Sequence, residues 1–496
     1  MKKILASMFI VLMLCGALPV LASAAPVDIT AAFTDVNFKA AVYAAIGKTD
    51  PDIIYDTDVS WLVHLVAQGR NIQSLAGLEY FTSLTNLYCN NNQLSSLPTL
   101  PATLEQLYCT DNQLSSLPAL PPGLTNLFCS SNPLASLPTL PSGLLYFDCS
   151  DIQLTSLPAT LPPGLINFGC SDNQLTSLPA LPSTLVSLSC IKNQISALPA
   201  LPPGLTSLSC SYNKLTTLPA LPAGLVTLQC YWNQLTALPT LPPSIAHLDC
   251  SVNQLPSLPA LPASLTYLRC GDNQFTSLPT LPPGLTHLDC MNNQLTGLPV
   301  LPASVDYLCC SGNDITSLPT LPAGLQTLYC GVNELTSLDV TGLPLTRLQV
   351  QYNYLASKSD VIGFAGVWDE YNFMFGAQRT KPTPTTTAPP ATTTKAPATT
   401  TKTPATTTKA PATTTKAPAT TTKAPATTTK APATATQAPD TTAPKTTTQA
   451  PDTTTKAPET TTNPAKKLKY VCKTSYISNF WNWFMFIVFF GWIWMK

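Results

Sequence analysis

Thirteen cysteines fall on one near-fixed period, and that period constrains the fold more than any other feature. Cys89, Cys109, Cys129, Cys149, Cys170, Cys190, Cys210, Cys230, Cys250, Cys270, Cys290, Cys310 and Cys330 are 20 residues apart, except for one step of 21 before Cys170. A self-similar unit this short cannot bury a core alone, so successive units must stack. The unit reads LxxLxCxxNxLxxLPxLPxx, as in Leu84, Leu87, Cys89, Asn92, Leu94, Leu97, Pro98, Leu100 and Pro101. Leu87 and Cys89 alternate with Asn86, Tyr88 and Asn90, the pattern of a short strand with one buried face. Strands of neighbouring units then lie parallel, about 4.8 Å apart. Asn92 stands where the chain leaves the strand, and its amide is placed to bond main-chain groups the turn leaves unpaired. The Leu-Pro-x-Leu-Pro return holds two prolines, so it is extended rather than helical. A degenerate first rung runs through Leu62, Leu65, Ala67 and Ile72, and a last one carries Val350 and Asn353. About fifteen rungs predict a curved rod roughly 70 Å long.

These units resemble bacterial leucine-rich repeats, especially the 20-residue type of secreted effector and surface proteins. Residues 59–80 resemble the 22-residue internalin-type repeat. The resemblance runs from about residue 30 to 379. It implies a β-rich solenoid with parallel strands on a concave face, and a family whose members bind many unrelated partners. The motif is specific for fold and weak for ligand.

The flanks set the rest of the organisation. Residues 1–25 read as a signal peptide: Lys2 and Lys3, an apolar run to Leu21, then Ala22, Ser23 and Ala24 before the cleavage point. Residues 26–58 read as an N-terminal cap. Within it, 33–47 place Phe33, Val36, Phe38, Ala41, Val42 and Ile46 on one apolar helical face, with Thr34 or Asp35 as the helix cap. The repeats fill 59–355. A C-terminal cap follows at 356–379, carrying Val361, Ile362, Phe364, Trp368, Tyr371, Phe373 and Phe375. Residues 380–464 contain no Leu, Ile, Val or aromatic residue and repeat TTTKAPA, the composition of a disordered stalk. A basic segment, 465–475, holds Lys466, Lys467, Lys469 and Lys473. Tyr476–Met495 is uncharged and rich in Phe and Trp, which fits a transmembrane helix. Those lysines oppose the usual positive-inside orientation.

Charge narrows the function classes. The whole chain balances 25 Lys+Arg against 25 Asp+Glu, which gives no electrostatic case for nucleic acid. No CxxC pair and no companion histidine set accompanies the cysteines, so the sequence implies no metal and no cofactor. The ladder cysteines read as small buried hydrophobes. Cys309, in an outward strand position, and Cys472, near the apolar tail, are the two thiols placed to react or to pair between chains.

Function belongs to the outward strand positions. Most are Ser, Thr, Asn or Gln. Between Cys210 and Cys310 they change: Tyr212, Tyr231 and Trp232 lie just past the strand, and His247, Tyr267, His287 and Tyr307 occupy one column on four successive rungs. Beside that column run Asp249, Arg269 and Asp289. Cross-rung pairing that merely stabilises the sheet is one reading; a ligand patch is the other, since exposed Tyr, Trp and Arg are frequent interface anchors. A second aromatic column, Tyr88, Tyr108 and Phe128, lies nearer the N-terminus. No nucleophile, base and pocket converge, so no catalytic residue is assigned and no enzyme is expected. The sequence therefore describes an exported, membrane-anchored surface protein that binds a protein or glycan on another cell. The rivals are a secreted effector of the ubiquitin-ligase leucine-rich-repeat class and a structural envelope spacer.

Overall fold

A computed structural model describes residues 25–380. The expected signal peptide, most of the stalk, the basic segment and the apolar tail lie outside those residues, as does Cys472. Among the described residues no helix is long and apolar enough to cross a membrane.

The period resolves into one parallel sheet of sixteen short strands. Its first strand, β1, is His64–Val66; β2 to β14 take the same place in successive units, from Asn86–Tyr88 to Thr327–Tyr329. Pairing is in register, Leu65 opposite Leu87 and Leu248 opposite Leu268, so every repeat position forms a straight column. The middle residue of each strand and the ladder cysteine point inward, and all thirteen cysteines are fully buried. None of the thirteen is in a disulfide. Burial pushes the thiols of Cys89, Cys190 and Cys310 up to about 12, so they remain protonated and unreactive.

The turn beyond the strand is tied by an asparagine in every full rung but that of Cys149, where Ile152 takes its place. Asn333 donates to the carbonyls of Cys310, Cys330 and Gly331 at 2.9, 3.2 and 3.3 Å, and its side-chain oxygen accepts from the Ile315 N–H at 3.1 Å. The tie spans two rungs, so the asparagine column laces the stack together. In the first rung Arg70 stands in the asparagine place, and the Ala67 carbonyl is left with the regular cross-rung bond from Asn92, at 2.8 Å. One residue before each asparagine the backbone is left-handed, with φ between 51° and 58° wherever that residue is not glycine. The prolines keep the returning Leu-Pro-x-Leu-Pro segments free of helix, and Leu97 and Leu100 reach into the core from that side.

Both ends differ in detail from the sequence expectation. Helix α1 spans Val36–Ile46, and Asp35 is its N-cap, accepting from the N–H groups of Asn37 and Phe38. Val36 is 77 % exposed, and Phe33 is buried from the loop before the helix rather than from its face. Tyr43 joins Phe38, Ala41 and Val42 as the buried set. The second Asp35 oxygen accepts from the N–H groups of Gln73 and Ser74, which fixes the helix to the first rung. At the other end the chain after the last repeat continues the sheet. Here β15 is Leu338–Asp339, β16 Arg347–Gln349, β17 Val361–Ile362 and β18 Phe373–Met374. Strand β18 pairs with β16, and β17 pairs with β15 as a separate two-stranded sheet. Phe364, Trp368, Phe373 and Phe375 pack together against the core, whereas the side chains of Ile362 and Tyr371 are exposed.

Candidate functional site

In each strand the first and third residues face away from the core. Parallel in-register pairing stacks equal positions, so a run of similar residues becomes a continuous object rather than isolated side chains. Strands β10 (His247–Asp249), β11 (Tyr267–Arg269), β12 (His287–Asp289) and β13 (Tyr307–Cys309) carry such a run. Their first residues form a four-ring stack. His247 lies 3.9 Å from Tyr267, Tyr267 4.2 Å from His287, and His287 3.9 Å from Tyr307, with interplanar angles of 7°, 10° and 10°. Tyr329 of the next rung closes the stack edge-on, 5.9 Å from Tyr307.

The third residues make an ion ladder. Arg269 reaches Asp249 with Nη1 at 3.5 Å and Asp289 with Nε at 3.3 Å. The other oxygens of the two carboxylates accept backbone N–H groups of Ser251 and Met291. Both carboxylates are buried, and the arginine side chain is about one-third exposed. Burial opposes the Arg269 charge, but Asp249 and Asp289 more than offset it and raise its pKa. Burial likewise lifts the Asp289 carboxyl above its ordinary value, against the pull of Arg269.

Burial keeps the ring stack neutral. Burial, then Arg269 and His247, depress His287 to about 3. Burial also lowers His247, against the pull of Asp249 and with Arg269 acting the same way as burial. Tyr267 is pushed up to about 12, mainly by burial. The unfolded His287 has a pKa near 6.5, so between pH 6.5 and 3 the unfolded state binds a proton that the folded state refuses. This contribution to stability is complete above pH 6.5 and is lost as pH falls toward 3. His287→Phe keeps a ring in the stack and removes the titration. It should therefore lose about 2 kcal/mol less stability than the wild type between pH 6.5 and 4, measured by urea unfolding. Equal losses in the two proteins would contradict a depressed His287.

Tyr212, Tyr231 and Trp232 form a separate group on the rim, beyond the strands. Tyr212 stacks on Trp232 at 5.1 Å and 20°, and meets Tyr231 edge-on at 5.2 Å. Burial raises Tyr231 to about 12, and Asp249 and Arg269 both act on its phenol, so it lies beside the ion ladder. The N-terminal column stacks as well, Tyr88 on Tyr108 at 4.8 Å and Tyr108 on Phe128 at 4.9 Å.

Two sequence expectations change here. Cys309 is 1 % exposed, so the outward strand position does not present its thiol to solvent. The neutral total also conceals an imbalance. Residues 25–380 carry 22 Asp+Glu against 9 Lys+Arg, and lysines after residue 380 restore the sum. Tyr329 escaped the sequence reading because it extends the stack diagonally, from the third strand position to the first.

No protein-family model and no curated protein sequence matches this chain. Among solved structures, the leucine-rich effector protein YopM from Yersinia pestis is similar at 33% identity, over 57% of this chain and 88% of that one, with a TM-score of 0.52. The functional domain of InlJ from Listeria monocytogenes, described as including a cysteine ladder, is similar at 25% identity over 70% of this chain and 80% of its own, with a TM-score of 0.54.

Proposed function

This chain belongs to the leucine-rich-repeat family, and from that premise we propose that it is a recognition protein whose exposed sheet face binds a partner and catalyses nothing. The carrying observation is the stack of His247, Tyr267, His287 and Tyr307 beside the Asp249–Arg269–Asp289 ladder, which joins rings and paired charges on four consecutive rungs. Fixed, partly buried rings and an ordered arginine bind with little further loss of side-chain entropy. The site residues we assign are those seven with Tyr212, Tyr231 and Trp232. The excess of acidic residues in 25–380 argues against nucleic acid and for a partner surface that is neutral or basic.

The sequence outside the described residues supports an exported, surface-held protein, with 380–464 as stalk and 476–495 as anchor. Its partner is then a protein or glycan on another cell. The likeness to YopM, named an effector, favours a second reading in which the repeats act after secretion; the apolar C-terminal segment weighs against it. Capture of partners from host-cell and bacterial surface extracts by the full chain tests the proposal. The Trp232→Ala/Tyr267→Ala double variant should lose that capture while unfolding at a similar temperature. Undiminished capture would remove the patch from the account.

A further inference from the structure

The left-handed residue before each asparagine is the most demanding backbone position in the repeat. Asn, Asp and Gly tolerate it, and bulky or β-branched residues do not. Asp172, Asp272 and Asn292 follow that preference. Tyr212, Trp232 and Val252, on three consecutive rungs, break it, each with φ of 54°. The other large occupants are Lys192, on the rung before Tyr212, and Val332 and Tyr352, in the last two rungs next to the C-terminal cap. The three residues are joined rung to rung through the turn, because the Asn213 and Asn233 N–H groups donate to the Trp232 and Val252 carbonyls. Trp232 is 52 % exposed although one face of its indole rests on Tyr212. Strain retained at three adjacent places, on a projecting surface, points to a task for those side chains.

We infer that Tyr212, Trp232 and Val252 form a strained anchor ridge that inserts into the apolar cleft of a protein partner. This rests on the recognition reading above and narrows its partner class. A sugar ring packs its C–H face on an open aromatic face. Here Tyr212 covers one indole face, and Val252 is next in the column on the far side. In the neighbouring ring stack, Tyr267 and His287 are covered on both faces. What the patch offers is ring edges and a protruding indole, which fit a protein cleft better than a glycan.

The test uses the full chain and immobilised cell-surface extract, divided into protease-treated and periodate-treated halves. Wild-type binding should disappear after protease and survive periodate, and Trp232→Ala should weaken it about 30-fold or more. Val252→Asn should raise the midpoint of thermal unfolding by about 2 °C, because the strain is relieved. Binding lost to periodate but not to protease would overturn the protein partner. A midpoint lowered by Val252→Asn would overturn the strain. Binding that Trp232→Ala leaves intact would overturn the anchor while recognition elsewhere on the sheet stands. No wild-type binding to either half or to untreated extract would sink the recognition reading itself.

Discussion

Asn333→Ala should cost about 2–4 kcal/mol. The side chain is fully buried and serves three carbonyls and one N–H drawn from two rungs. Alanine orphans the buried Ile315 N–H, at about 1–3 kcal/mol, and takes one of two donors from each carbonyl, since Asn313 still serves Cys310, Asn353 serves Cys330 and the Gly312 N–H serves Gly331. Because rungs are stabilised chiefly by their neighbours, the damage should appear as early unfolding of the C-terminal rungs. Limited proteolysis along a urea series would show cleavage near residue 333 before the main transition. Gln234→Ala, at the exposed position after Asn233, should change stability by less than about 0.5 kcal/mol. A small effect at Asn333 would mean that packing of the Leu/Cys columns, rather than the asparagine lacing, holds the rungs in register.

Arg269→Ala should destabilise by about 2–4 kcal/mol. Removing one partner of a buried ion pair leaves an uncompensated charge, and here two carboxylates lose the same cation. The figure is reduced from the fully buried case because the arginine is about one-third exposed. The sign of its pH dependence follows. Without Arg269 the folded-state pKa of Asp289, already lifted by burial, rises further above its unfolded value, so the variant recovers relative to the wild type as pH falls through that range. Asp249→Asn/Arg269→Leu/Asp289→Asn should return close to wild-type stability, since no buried charge remains. If the triple variant stays as unstable as Arg269→Ala, the ladder matters through packing of the arginine stem instead.

The sequence exposed the repeating core because a 20-residue period leaves little freedom: alternation fixes the inward Leu and Cys, and two prolines exclude a helix. The same columns made the four-ring stack and the ion ladder legible, since in-register pairing brings equal positions together. Features that depend on a single place in three dimensions stayed hidden. Val36 turns to solvent and Phe33 is buried from the loop because Asp35 starts the helix after Phe33. Strand β18 forms because the last rung leaves an open sheet edge, which no residue pattern in 373–374 announces. Cys309 is outward in register yet shielded by its surroundings. The strain at Tyr212, Trp232 and Val252 is invisible until the left-handed backbone of the turn is known.

The proposed recognition rests on the outward residues of a few rungs, and the inward residues have a purely structural role. The most direct test is the equilibrium affinity of the full chain for a captured partner, compared across three variants matched for unfolding temperature. Trp232→Ala/Tyr267→Ala should lose about 100-fold or more. Tyr88→Ala/Tyr108→Ala, in the N-terminal column, and Val300→Ala, exposed on the returning side, should each stay within about threefold of the wild type. A loss centred on Tyr88 and Tyr108, or an equal loss in all three, would contradict the assignment of the patch.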